Sequence, residues 1–477
     1  MRIGVLSFVG VHASDTDRAA SLRFQEGVVA WLREQEHDVV VADDLAVSAA
    51  SVAPEAERLG RADCDSVVFC FATESDPGLP PQAALRVSCP ILLLGSADPA
   101  GGGMAALFAA AGALGEVGAP CGRVLGNVDD AAARSGIAGW LRQHDRKTRQ
   151  RGRDAAQTLY GTRCALLGNG AAAGAEPDPS QWLSQFGVTL ERFAGADIAE
   201  RARRVEPDRV QAGIDWLTAN VAEIRYDGDR LTPGPAGTLA RQVRTYLAIR
   251  DLCRDEQIAF CALADRIDPD VAPGLILSLL NDGNDWEGAT APLVSAPGGD
   301  ANGALTMRLL HLVSGNPALC GALRGYDAQE DLVGLAGAVA PTFAGLSEET
   351  GKKWPRVVLR AAPVSPDAAA GGSLHFDVAT SPEVTFARLA RLSGRFICVM
   401  TPGAFVEVTA VQGEALPQPA TAGTAPHTWA RFECPHGALV RTWPSSHVHA
   451  AVGDHVGALR SACESLGITP IHLSRAS

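Results

Sequence analysis

Apolar residues follow two alternating rhythms over the first 150 positions. Residues 2–9, Asp38 to Ala42, Ser66 to Ala72, Cys89 to Leu94 and Gly122 to Leu125 are short apolar runs of strand length. Between them lie stretches with apolar positions at helical spacing. The clearest is Ala19 to Gln35, where Ala20, Phe24, Val28, Trp31 and Leu32 mark one face. Val52 to Arg61 is a second, with Pro54 tolerable in its first turn, and the Gly/Ala-rich Ala100 to Leu114 is a third. A further helix from Asp129 through Gln143 runs on toward Ala156. Strands alternating with helices predict a doubly wound parallel sheet.

The same rhythm restarts at Arg163. Cys164 to Leu167, Val188 to Phe193, Ile258 to Ala264 and Leu293 to Ser295 are expected strands. Ala199 to Val205, Pro207 to Ala222, Thr238 to Gln257 and Pro273 to Asp282 are expected helices. A last helix carries Leu305, Leu309, Leu312 and Val313 on one face, is stopped by Gly315 and Pro317, and is capped by Asp300 or Asn302. After about residue 330 the pattern changes to short alternating strands separated by turn residues, which predicts a small antiparallel barrel or sheet. The expected fold class is therefore α/β, with two Rossmann-like doubly wound parallel-sheet domains and a C-terminal antiparallel β domain. The expected boundaries are 1–150, 151–330 and 331–477, the last closed by a helix.

Composition narrows the function classes. The 477 residues are 47% hydrophobic and 20% charged, as globular proteins are. A formal net charge of -13 repels phosphate backbones, so no nucleic-acid partner is expected. The charge cluster from Arg142 to Arg153 reads as a solvated helix face. No apolar run reaches membrane-span length, and the first residues read as a strand rather than a leader. Eleven scattered cysteines without a Cys-x-x-Cys read as reduced, mostly buried thiols of a cytoplasmic protein.

Candidate chemistry concentrates where strands end. Gly168-Asn-Gly170 follows a strand, as a dinucleotide-binding turn does. The following Ala-Glu-Pro-Asp-Pro argues against a helix starting at once, which ranks an NAD-linked oxidoreductase lowest and a turn lining a cleft higher. Asp265 and Arg266 end another strand, where they either face a ligand or form a surface ion pair. Gly299-Asp300, Gly303 to Met307 and Leu309 to Gly315 form one motif, and Trp443-Pro-Ser-Ser446-His447-Val-His449 with Gly453-Asp454 forms another. Together they resemble the central and closing motifs of the L-fucose/L-arabinose isomerase family.

The resemblance implies an aldose–ketose isomerase scaffold and a homo-oligomer, trimer or hexamer, acting on a small sugar-like substrate. It also implies a site where the two motifs meet. His447 and Asp300 would be the catalytic groups there, with Asn302, Ser446 and Trp443 toward substrate; Asp265, Arg266, Gly168 and Gly170 join them as substrate-side candidates by their place at strand ends. The metal-dependent members carry two carboxylate ligands at positions that map to Gly298 and Ala322, and these are also their proton-transfer groups. The third ligand maps to His447. One imidazole without carboxylates holds a hard cation poorly. The expectation is therefore no cofactor, or a weakly bound divalent metal such as Mn or Zn. A non-catalytic sugar-binding or partner-binding relative is the alternative.

Overall fold

The computed structural model describes residues 1–168, 176–264, 267, 271–337, 339–345, 353–362, 370–407 and 427–474. The chain forms two compact units, Met1–Gln150 and Arg151–Ser477. In the first, strands β1 (Arg2–Phe8), β2 (Asp38–Val41), β3 (Ser66–Phe71), β4 (Ile91–Gly95) and β5 (Cys121–Leu125) form a parallel sheet of order β2-β1-β3-β4-β5. Helices α1 (Asp15–Glu34), α2 (Ala49–Arg61), α3 (Leu79–Ala84), α4 (Gly103–Glu116) and α5 (Ala131–His144) connect the strands and follow the last. β3 and β4 are buried along their whole length because helices cover both faces of the sheet, so neither face needs polar side chains. α6 (Arg146–Leu159) carries the chain into the second unit. The expected continuous helix from Asp129 toward Ala156 is broken at Asp145, whose carboxylate accepts from the Thr148 N–H and starts a new helix.

The second unit contains another parallel sheet, of order β10-β9-β6-β7: β6 (Arg163–Leu167), β7 (Thr189–Phe193), β9 (Ile258–Leu263) and β10 (Ser295–Ala296). Its helices are α7 (Pro179–Phe186), α8 (Gly195–Arg203), α9 (Pro207–Asn220), α10 (Thr238–Asp255), α11 (Gly274–Asp282) and α12 (Ala301–Ser314). α9 ends before the expected Ala222. Its last predicted residues belong to β8 (Val221–Arg225), which joins β13 (Trp354–Ala361) and β14 (Gly372–His375) in a three-stranded sheet. The alternation of buried and outward residues in Val-Ala-Glu-Ile-Arg is that of a strand.

The remaining strands are β11 (Leu319–Asp327), β12 (Leu332–Ala336), β15 (Ser381–Leu392), β16 (Arg395–Val406), β17 (His427–Phe432), β18 (His447–Val452) and β19 (Thr469–His472). They pair in the order β15-β18-β11-β12-β17-β16-β19, and β15 also pairs with β16, so six strands close into a barrel. Closure removes the exposed edges of an open sheet. Phe386, Phe405 and Phe432 pack against one another inside, with ring centroids 5.6 and 4.4 Å from Phe386. Ala387, Leu389, Cys398, Met400 and Ala451 alternate with the interior residues and bury their outer face against α12 and α14 (Val456–Ser465). The short α13 (His436–Thr442) lies between β17 and β18 in the chain.

Candidate active site

In the second parallel sheet the chain goes from β6 to β7 on one side and returns as β9 on the other. The crevice between the carboxyl ends of β6 and β9 is thus a topological switch point. Gly168 ends β6 at φ +97, and its N–H donates to Phe193 O at 2.9 Å. The loop after β10 reaches the same edge, where Gly299 N–H donates to Leu263 O at 2.8 Å. Gly298 and Gly299 adopt φ +67 and +68. That left-handed backbone disfavours a side chain by roughly 1–2 kcal/mol, so a glutamate at 298 works against this turn. Gly170, Asp265 and Arg266 lie outside the described residues.

Asp300 follows the turn and caps α12, its Oδ1 accepting from Gly303 N–H at 2.8 Å. Its carboxylate also takes both terminal nitrogens of Arg388, at 2.5 and 3.1 Å, and both side chains are 6% exposed. Arg388 comes from β15, 88 residues away. The β15–β18 ladder stops at the Ala387–His449 pair, and the next N–H, Leu389, bonds instead to Thr306 Oγ1 of α12 at 3.0 Å. Where the ladder stops, the first turns of α12 meet β15. Burial pushes the Asp300 carboxyl up, but the charge and hydrogen bonds of Arg388 outweigh it, and the group is held below the ordinary carboxylate value.

His449 is fully buried on β18, paired to Cys320 on one side and Ala387 on the other. Burial, reinforced by the Arg388 charge and partly opposed by Asp300, pushes its imidazole down to about 3. It is therefore neutral at pH 7. The Ala387 backbone favours its protonated form, but neither ring nitrogen makes a well-aligned hydrogen bond. Burial likewise pushes the Cys320 thiol up to about 12, with Asp300 adding to the effect.

Two residues earlier on the same strand and face stands half-buried His447, paired directly with Ala322 of β11. The two positions where the family places a metal-ligating aspartate and histidine are thus cross-strand neighbours, with Cβ atoms about 5 Å apart by strand geometry. A charge on His447 adds to the effects that lower the His449 imidazole. Ser445 Oγ accepts the His447 N–H at 3.1 Å, Trp443 Nε1 donates to His447 O at 3.1 Å, and Ser446 Oγ lies 3.4 Å from Nδ1. Trp443 and Ser445 also line a cavity of about 410 Å³ with Tyr326, His436 and Val440. Asn302, in the first turn of α12, uses its carbonyl to accept the Thr306 hydroxyl at 2.7 Å.

The donor set does not fit a divalent cation. Gly298 and Ala322 offer no ligand atom, and the Asp300 carboxylate is taken by a guanidinium. Among the described residues no three His, Cys, Asp or Glu side chains come together as a metal site. Arg388 and Cys320 were not singled out in the sequence. Arg388 had a local signal, a charge inside the otherwise apolar run Phe386 to Ala390, which needs a buried partner.

Residues 337–473 match the C-terminal domain of L-fucose isomerase. This match covers less than a third of the chain and agrees with the resemblance of its two motifs to the L-fucose/L-arabinose isomerase family. The match supports a sugar-isomerase-like function. No curated protein matches the sequence. Among solved structures, a solute-binding protein from Actinobacillus succinogenes with bound D-allose is 11% identical, covering 66% of this chain and 92% of that one, with a TM-score of 0.18. One from Agrobacterium vitis with bound α-D-tagatopyranose is 12% identical, covering 59% and 80%, with a TM-score of 0.17. At such TM-scores these likenesses carry no weight. Among the described residues no helix is long and apolar enough to cross a membrane.

Proposed function

We propose that this chain, whose residues 337–473 match the C-terminal domain of L-fucose isomerase, acts on a small aldose or polyol-like substrate without that family's usual divalent cation. The observation that carries the proposal is the Asp300–Arg388 pair, set against β18 where the two motifs converge. Aldose–ketose interconversion removes a proton from the carbon beside the carbonyl and returns it to the former carbonyl carbon. The negative charge on the intermediate needs a fixed positive field. His447 is the group suited to carry the proton, since an imidazole titrates near neutrality. It takes the proton from carbon 2 and delivers it to carbon 1, while the hydroxyl proton passes from O2 to O1, so the step needs no co-reactant. Asp300, stabilised as a carboxylate, is a weak base and serves to hold Arg388. The Asp300–Arg388 pair fixes a dipole at this edge, with the carboxylate toward the α12 N-terminus and the guanidinium on β15. The substrate itself lies toward His447, Ser446 and the cavity lined by Trp443.

The experiment is a panel of five- and six-carbon aldoses and ketoses, followed by NMR for interconversion and for solvent exchange of the carbon-2 hydrogen. Turnover that His447→Gln abolishes supports the reading, and turnover left intact in that variant removes His447 from it. The engagement of Asp300 by Arg388 favours a second reading, a non-catalytic sugar-binding relative. That protein would bind a sugar of the panel saturably while exchanging no hydrogen.

A further inference from the structure

We infer that the outer face of α4 in the first unit is the apolar centre of an interface between two copies of this chain. From Pro99 to Gly115 the sequence has no charged or hydrogen-bonding side chain, in a chain that is 20% charged. Helices on the surface of a domain carry a polar stripe toward water, and one that is apolar all round is normally covered on every side. In α4, Ala106, Leu107, Ala110, Ala111 and Leu114 turn inward. The opposite face presents Met104 and Phe108, each 53% exposed, beside exposed Ala105, Ala109, Gly112 and Gly115. A methyl group added at Gly112 or Gly115 would meet nothing within 4 Å.

The shape of this face selects a second copy as its occupant. Two bulky side chains stand one turn apart, and small residues form the grooves next to them. Ridges and grooves on one helix face are self-complementary under a two-fold axis, so Phe108 of each copy seats against Ala109 and Gly112 of the other. Charge points the same way. Two chains of net charge -13 repel each other over most of their surfaces, and this face brings no like charges together. A 14-residue helix is about 21 Å long and about 10 Å wide, so its face covers roughly 200 Å². A stable interface buries about 800 Å² per partner, an apolar core within a polar rim. The α4 face supplies about a quarter of that area, at its centre. Leu85, 81% exposed at the end of neighbouring α3, and Val117, 56% exposed after α4, extend it. A two-fold contact builds dimers, or hexamers when combined with a three-fold, and predicts an even number of copies.

Sedimentation and light scattering of the full chain across micromolar concentrations test this. An even-numbered assembly is expected, with Phe108→Glu raising its dissociation constant about 30-fold or more, the loss expected of a central anchor. Leu22→Glu, on exposed α1 surface, should leave assembly unchanged. A monomeric wild type, or an assembly that F108E leaves intact, overturns the inference. Should F108E lose its fold by circular dichroism, single cysteines decide. Mild oxidation of A105C, A109C or G112C should give a covalent dimer from at least one of them, and none from the wild type, and failure of all three overturns the proposal.

Discussion

Replacing Arg388 by methionine should destabilise the second unit by about 3–5 kcal/mol. The variant keeps most of the stem volume but strips the partner from a carboxylate that is 6% exposed, leaving a buried charge without compensation. Unfolding entropy of about 2.1 cal/mol/K per residue over roughly 330 residues gives about 0.7 kcal/mol per degree, so the melting temperature should fall by about 4–7 °C. Without Arg388, burial is the dominant influence left on Asp300, and its pKa should rise above the ordinary value. Lowering the pH from 7 toward 4 should therefore shrink the gap between R388M and wild type, as protonation removes the orphan charge. The double variant D300N/R388M should recover much of the loss, because a neutral amide still accepts from Gly303 N–H. Scanning calorimetry reads all three. An R388M melting temperature within a degree of wild type, or a double variant no better than the single, would refute the reasoning.

Stability should also fall on acidification below about pH 6.5. The native His449 value is depressed to about 3, so over that window the unfolded chain binds the proton and the native chain does not, and the folded state loses ground as pH falls. By pH 5 this residue alone accounts for about 2 kcal/mol, and His449→Leu should flatten that part of the profile. His447→Gln should lower kcat by about 100-fold or more with little change in melting temperature, since the residue is half-buried and a lost general base costs that much. An equal loss of stability would mark the histidine as structural.

The parallel sheets were legible because each strand is an uninterrupted apolar run between helical patterns, as in Ser66 to Phe71. Of the two expected caps, Asp300 or Asn302, the structure uses Asp300, and the common face of His447 and His449 follows from strand alternation. The short alternating strands fit a barrel or an open sheet alike, and the sequence does not choose between them. β11 contains Gly321 and Gly325, which break the alternation, and its pairing with β18 joins strands far apart in the chain. For the same reason the sequence showed Asp300 without its partner. The two residues are 88 positions apart, and only the tertiary arrangement of α12 against β15 makes them an ion pair. The resemblance alone makes Gly298 a missing ligand, whereas the turn gives it a positive backbone angle that favours glycine in its own right.

The most direct measurement takes purified protein, removes divalent ions with a chelator, and follows deuterium exchange at carbon 2 of whichever sugar it turns over. The proposed function, in which no bound cation takes part, predicts exchange at the untreated rate and an unchanged melting temperature. Loss of exchange on chelation, restored by adding manganese or zinc, would contradict the account.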